Sequence, residues 1–294
     1  MEKDKKNNFD EAAFQLFKEL EKENKRIKDF LIDNYRGLPA DPQIEEEAHE
    51  YFINNSVFFS AMAAQNASSL ITEFLYERLP SKSILDNYAL NSKAGRAIRA
   101  RLIAVEDELH RVIDDYCTKG EVLIGNLGSG PGRDVIDVFS NYYQNSSNVK
   151  AVNIDKDVIA LKRGKRMASI KKVDHLINFV QGSFLKYVPE KKFDIIILVG
   201  ILCTLQSEVC ISILKTIKGF LNKNGCLIAS NVTNKMQEED PFACYIMDWV
   251  ANWRFVYKSE EELKKIFEQA GYQWKRGFTD SYGFHLIGVG TPMP

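Results

Sequence analysis

The stretch Val122-Leu123-Ile124-Gly125-Asn126-Leu127-Gly128-Ser129-Gly130-Pro131-Gly132-Arg133-Asp134-Val135-Ile136 decides the fold. An apolar run, three glycines at alternate positions and a helical restart describe a strand, a sharp turn and a helix. Glycine at those positions lets the backbone turn tightly and lets a ligand approach without a Cβ in the way, beside a helix N-terminus. Two nucleotide signatures fail here. Counted from Gly128, the last position of G-x-G-x-x-G is Arg133, and neither Gly-Lys-Ser nor Gly-Lys-Thr occurs in the chain, which excludes a P-loop.

Downstream of this turn, short apolar runs alternate with helical stretches: Val149–Ile154 then Val158–Ala168, Leu176–Val180, Phe193–Val199 then Val209–Leu221, Cys226–Val232, then Glu260–Ala270. Strands and helices alternating at this spacing predict βαβ units in a mostly parallel, doubly wound α/β sheet. The end differs. Tyr272–Phe278 and Gly283–Val289 are strand-like runs separated by Asp280-Ser281-Tyr282-Gly283, too short for a crossover helix, so an antiparallel hairpin closes the sheet.

Upstream, the pattern is helical. Phe9, Ala13, Leu16, Leu20, Ile27 and Leu31 form one stripe over residues 9–34, and further helices are predicted at 44–79 and 92–117. Pro80-Ser81-Lys82-Ser83 is the break between these two, and no low-complexity linker appears. The expected division is therefore residues 1–117, a helical cap and candidate dimerisation element, and 118–294, the α/β domain.

The second strand ends in Val152-Asn153-Ile154-Asp155, placing a carboxylate 27 residues after Gly128 at the tip of the neighbouring strand. Such a carboxylate either accepts hydrogen bonds from a ribose diol or caps the helix that follows. With these residues in view, 120–290 resembles a class I S-adenosylmethionine (SAM) dependent methyltransferase, of the bacterial small-molecule type with a preceding helical region. The resemblance implies a Rossmann-like seven-stranded sheet with a reversed last strand, and SAM as cofactor. It assigns Gly128, Ser129, Gly130 and Gly132 to the methionine part and ribose, Asp155 to the ribose hydroxyls, and Lys156 to a place beside the adenine. Ser183 and Phe184 stand at the third motif, and Val199 and Gly200 line the methyl-transfer end. Two positions depart from the family pattern: Asn126 replaces the acid that opens the first motif, and Ser183 replaces the acid of the third. Both substitutes keep hydrogen-bonding capacity.

Composition narrows the acceptor. With 39 Lys+Arg against 40 Asp+Glu, no global field draws a polyanion, and the fourth motif, Leu198-Val199-Gly200-Ile201-Leu202, lacks Asn/Asp-Pro-Pro-aromatic. The expected partner is a small, mostly apolar molecule, with O- or carboxyl methylation favoured and no nucleic acid. Segment 240–257 holds Tyr245, Trp249 and Trp253 at steps of four. On a helix these would share a face and meet the acceptor, enclosed between this segment and the cap; as plain core they would only stabilise. Arg96, Arg99 and Arg101 are candidates to neutralise a carboxylate or simply a solvated face. His49, His110, His175 and His285 offer no distinguishable base, so the catalytic residue stays open, and no metal site is expected. No secretory signal or membrane-length apolar run appears, and five cysteines form no C-x-x-C pair, which predicts a cytoplasmic protein with buried, reduced thiols. The competing reading is a SAM-binding protein or scaffold without turnover.

Overall fold

The computed structural model describes residues 9–64, 69–79, 81–118 and 120–294. Pro80, in the break between the two predicted helices, lies outside them. In chain order the elements are α1 (Glu11–Glu23), α2 (Lys25–Tyr35), α3 (Pro42–Asn55), α4 (Val57–Ala64), α5 (Ser69–Glu77), α6 (Ile84–Asn91) and α7 (Lys93–Cys117). Next come β1 (Val122–Leu127), α8 (Arg133–Val138), β2 (Val149–Asp155), α9 (Val158–Ile170), β3 (Ile177–Gln181), β4 (Phe193–Leu198), α10 (Ser207–Lys218) and β5 (Leu221–Val232). The chain ends with α11 (Asn234–Glu239), α12 (Pro241–Ala251), α13 (Glu260–Gln269), β6 (Tyr272–Thr279) and β7 (His285–Pro292). Among the described residues, no helix is long and apolar enough to cross a membrane.

The chain divides into two compact units, one of residues 1–99 with 234–254 and one of 100–233 with 255–294. The division falls within α7 rather than after Cys117, and α11 and α12 join the first unit. An unbroken 25-residue helix with a continuous apolar stripe leaves no mark in the sequence where one core hands over to the next.

The helical unit is more finely broken than its apolar periodicity predicts. Asn24 ends α1 and caps α2 through its side chain, which accepts from the Ile27 amide at 3.2 Å. The run expected at 44–79 is cut at Ser56, whose hydroxyl donates to the buried Asp86 carboxylate at 2.6 Å while the Phe58 amide donates to the same oxygen at 3.1 Å. Asp240 caps α12 by accepting from Ala243, and it also accepts from the Ala94 amide at 2.9 Å.

The second unit is built on a seven-stranded sheet of order β3-β2-β1-β4-β5-β7-β6. The first five strands are parallel and β7 runs antiparallel to both β5 and β6. One face, through Ile124, Ala151, Ile195, Ile197, Ile228 and Ile287, packs against Val105 and Leu109 of α7 and Val135 of α8. The other, through Ile154, Ile196, Leu198 and Leu227, packs against Leu214 of α10 and Phe267 of α13. Strands covered on both sides read as continuous apolar runs, which is why the parallel core was visible in the sequence. Among the described residues no disulfide is present; Cys203, Cys210 and Cys226 are buried as expected, whereas Cys117 and Cys244 are half-buried.

Candidate active site

The site lies at the carboxyl ends of the parallel strands, where the apolar face just described turns polar. Side chains two residues apart share a face. The face that carries Ala151, Ile124, Ile228 and Ile287 in the core therefore also carries, towards those ends, Asn153 on β2, Asn126 on β1, Ser230 on β5 and, at the start of the reversed β7, His285, all buried. Arg101, one helical turn before Val105 on α7, is buried too and is the charged member of this layer.

The glycine turn is fastened to β2 by its backbone. The amides of Gly128 and Ser129 both donate to the Ile154 carbonyl, at 2.9 and 3.1 Å, and the Gly130 amide donates to Asp155 Oδ2 at 2.7 Å. The second oxygen, Asp155 Oδ1, accepts from the Asp157 amide at 2.8 Å. The two readings of the acid thus separate between neighbours: Asp157 is the N-cap of α9, accepting from Ile159 and Ala160, and Asp155 secures the loop. A carboxylate has about four acceptor positions, so both Asp155 oxygens retain capacity for a diol. Gly132 is required twice over. Its φ is +77°, and a Cβ there would lie 1.9 Å from Nδ2 of Asn153.

Three motifs distant in sequence converge on Gly128. A Cβ at that residue would lie 2.7 Å from the Ile201 side chain and 3.7 Å from the Phe184 ring. The loop after β1, the turn after β3 and the exit from β4 therefore meet at Gly128. Ser183 precedes the short 3₁₀ turn Phe184–Lys186 without a side-chain cap, and Lys156 is exposed at the tip of β2. The Gly200 amide donates to Ser230 Oγ at 3.3 Å; Gly200, with φ of +78°, faces the Arg101 guanidinium, 3.9 Å from the position of an added Cβ. Val199 and Gly200 are half-buried.

Asn126, where the family pattern has an acid, is hydrogen-bonded to an acid at the start of α8. Asn126 Nδ2 donates to Asp134 Oδ1 at 2.8 Å, and that oxygen also accepts from the Val135 amide at 2.9 Å. Burial pushes the Asp134 carboxyl up to about 6, against these hydrogen bonds and the Arg101 charge, which favour its ionised form. The first-motif pattern, read as fixed positions, hid this exchange between strand and helix.

Of the three arginines, Arg101 alone belongs to this layer. Arg99 donates to the carbonyls of Leu90 and Leu75 within the helical unit, and Arg96 is exposed. The aromatic trio lies in the helical unit, and it does not form the predicted stripe. Tyr245 and Trp249 stack at 6.3 Å, and Trp249 meets the rings of Phe30, His49 and Phe52 while its Nε1 donates to Glu45 at 3.2 Å. Trp253 is off that helix altogether, because α12 ends at Ala251 and Asn252 turns left-handed with φ of +48°.

Residues 119–271 match the family model for a methyltransferase domain. Ribosomal protein L11 methyltransferase of Alkaliphilus oremlandii is 30% identical over 83 residues, 28% of this chain and 25% of that protein. The chain thus spans about a quarter of the length of the curated relative it matches. Among solved structures, a protein of Bordetella parapertussis described as a "possible exported protein" superposes with a TM-score of 0.69 at 16% identity, over 97% of this chain and 98% of that one. Magnesium protoporphyrin IX methyltransferase of Synechocystis PCC 6803, with S-adenosylhomocysteine bound, superposes with a TM-score of 0.56 at 14% identity, over 84% of this chain and 99% of that one. At these identities the superpositions speak for the fold.

Proposed function

The chain belongs to the methyltransferase domain family, and from that premise we propose that it transfers the methyl group of SAM to an oxygen of a small, mostly apolar acceptor. The observation that carries the reading is the convergence of Phe184 and Ile201 on the glycine loop at Gly128, with Asp155 fastened to the same loop at Gly130. The residues present suit the cofactor. Asp155 has free lone pairs for a ribose diol, Phe184 offers a flat apolar surface, and the Asp134 carboxylate with the Arg101 guanidinium matches an amino acid's two charges. The cofactor brings a sulfonium methyl group; the protein's part is to hold the acceptor in line with it and keep water out.

The test is calorimetry of the full chain with SAM and S-adenosylhomocysteine, followed by radiolabelled transfer to extractable small molecules. Micromolar binding with labelled organic product is expected. Binding without product would reassign the chain as a SAM-binding scaffold, and no binding would remove the cofactor reading.

A further inference from the structure

Residue spacing singles out no histidine, but the structure separates His285 from the other three. It is buried at the start of β7, paired with Val232 at the carboxyl end of β5, so it sits on the edge of the sheet that carries Gly200 and Ser230. Its Nδ1 lies 3.0 Å from Asp280 Oδ2. Asp280 is equally buried and held as an anion: Oδ2 also accepts the His285 backbone amide at 2.5 Å, and Oδ1 accepts the Tyr282 amide at 2.7 Å. Surrounded by donors, this carboxylate accepts from Nδ1–H and leaves Nε2 without its proton. Nε2 takes no hydrogen bond among the described residues, in a side chain that is 5% exposed. The other histidines differ. His49 Nε2 is tied to the Val250 carbonyl, His110 Nδ1 to the Tyr143 hydroxyl, and His175 is exposed.

Resting on the SAM reading above, we propose that His285 is the general base of the transfer, oriented by Asp280, and that the acceptor is a neutral hydroxyl of the phenol class rather than a carboxylate. The acceptor O–H proton passes to Nε2 as the oxygen forms its bond to the methyl carbon. The carbon–sulfur bond breaks with its electron pair left on sulfur, and the proton then leaves the imidazolium for solvent. A carboxylic acid is already ionised at neutral pH and has no use for such a base. Two charged groups face the ring, Asp280 from the same hairpin and Arg101 from α7; burial and Arg101 keep the imidazole neutral, and Asp280 opposes them.

The test uses the full chain, radiolabelled SAM and two acceptor panels: catechol, naphthol and salicylaldehyde against benzoic and decanoic acids. His285→Asn is the informative variant, because its amide nitrogen replaces Nδ1 as the donor to Asp280 while nothing replaces Nε2. Expected are an unchanged melting temperature, unchanged calorimetric SAM affinity, and a kcat on phenols lower by about 10²–10⁴-fold, the usual contribution of a general base. Asp280→Asn should lower kcat and move the acid limb of the pH profile to lower pH, which a merely structural tie would not do. Phenol turnover retained in His285→Asn, methylation of the carboxylic acids alone, or no phenol turnover by a chain that binds SAM would each overturn the proposal. Loss of SAM binding in the unaltered chain would instead overturn the reading beneath it.

Discussion

At the residue scale, Asp155 holds the site together. It joins the loop at Gly130 to the start of α9 at Asp157, so its removal acts on the loop and on the ligand together. Asp155→Ala should weaken SAM binding by about 1–3 kcal/mol, the cost of losing hydrogen bonds to a charged acceptor. Titration calorimetry at constant pH checks this, and an unchanged affinity would move the ribose elsewhere. Asp155→Asn should retain part of the affinity, since its amide oxygen can still accept from Gly130 or the diol, though not from as many donors.

At the element scale, Lys258 does the corresponding work for the β4 exit. It is almost wholly buried, and its Nζ donates to the carbonyls of Leu202, Leu205 and Val256 at 3.1, 2.9 and 3.1 Å and to Asn231 Oδ1 at 3.3 Å. Burial pulls its pKa below the ordinary lysine value, yet four oxygens solvate the ammonium in place of water. The segment carrying Ile201 is thereby tied to β5. Lys258→Met keeps the stem and strips these acceptors of their donor, so it should cost about 2 kcal/mol or more in chemical denaturation. A variant as stable as the parent would show that the carbonyls find other donors.

The same scale explains what the sequence could and could not convey. The parallel strands were legible because burial on both faces demands unbroken apolar runs, and the hairpin because Asp280–Gly283 leaves no room for a crossover. The breaks at Asn24 and Ser56 were hidden, since capping side chains interrupt helices without shifting the apolar stripe. Within the site, Gly128, Gly130 and Asp155 follow from local spacing. The Asn126–Asp134 exchange, the choice of Arg101 over Arg96 and Arg99, and the His285–Asp280 pair depend on which elements the fold brings together. Two steps of four likewise made Tyr245, Trp249 and Trp253 look like one face, because the apolar spacing runs on past the left-handed Asn252 at which the helix stops.

At the scale of the whole molecule, buried carboxyls set how stability responds to pH. Glu106 is pushed up to about 8 by burial and by the nearby Asp137 and Asp134 carboxylates, and Asp240 up to about 7 by burial and Asp10. Their ordinary values are 4.5 and 3.8, so between those values and the raised ones the native state binds protons that the unfolded chain has released. Stability then rises as pH falls through this window. His285 acts in the opposite sense: burial lowers it from 6.5, the unfolded chain takes that proton first, and stability is lost below about 6.5. The balance predicts a melting temperature higher near pH 6.5 than near pH 8.5, by roughly 2–4 °C for each kcal/mol recovered. Glu106→Gln removes the charge whose burial is unfavourable, so it should raise the melting temperature at pH 8.5 and leave it almost unchanged at pH 6.5. Scanning calorimetry of both proteins at the two pH values decides the matter. A parent chain that melts no higher at pH 6.5 would mean that these carboxyls are solvated well enough to ionise at little cost.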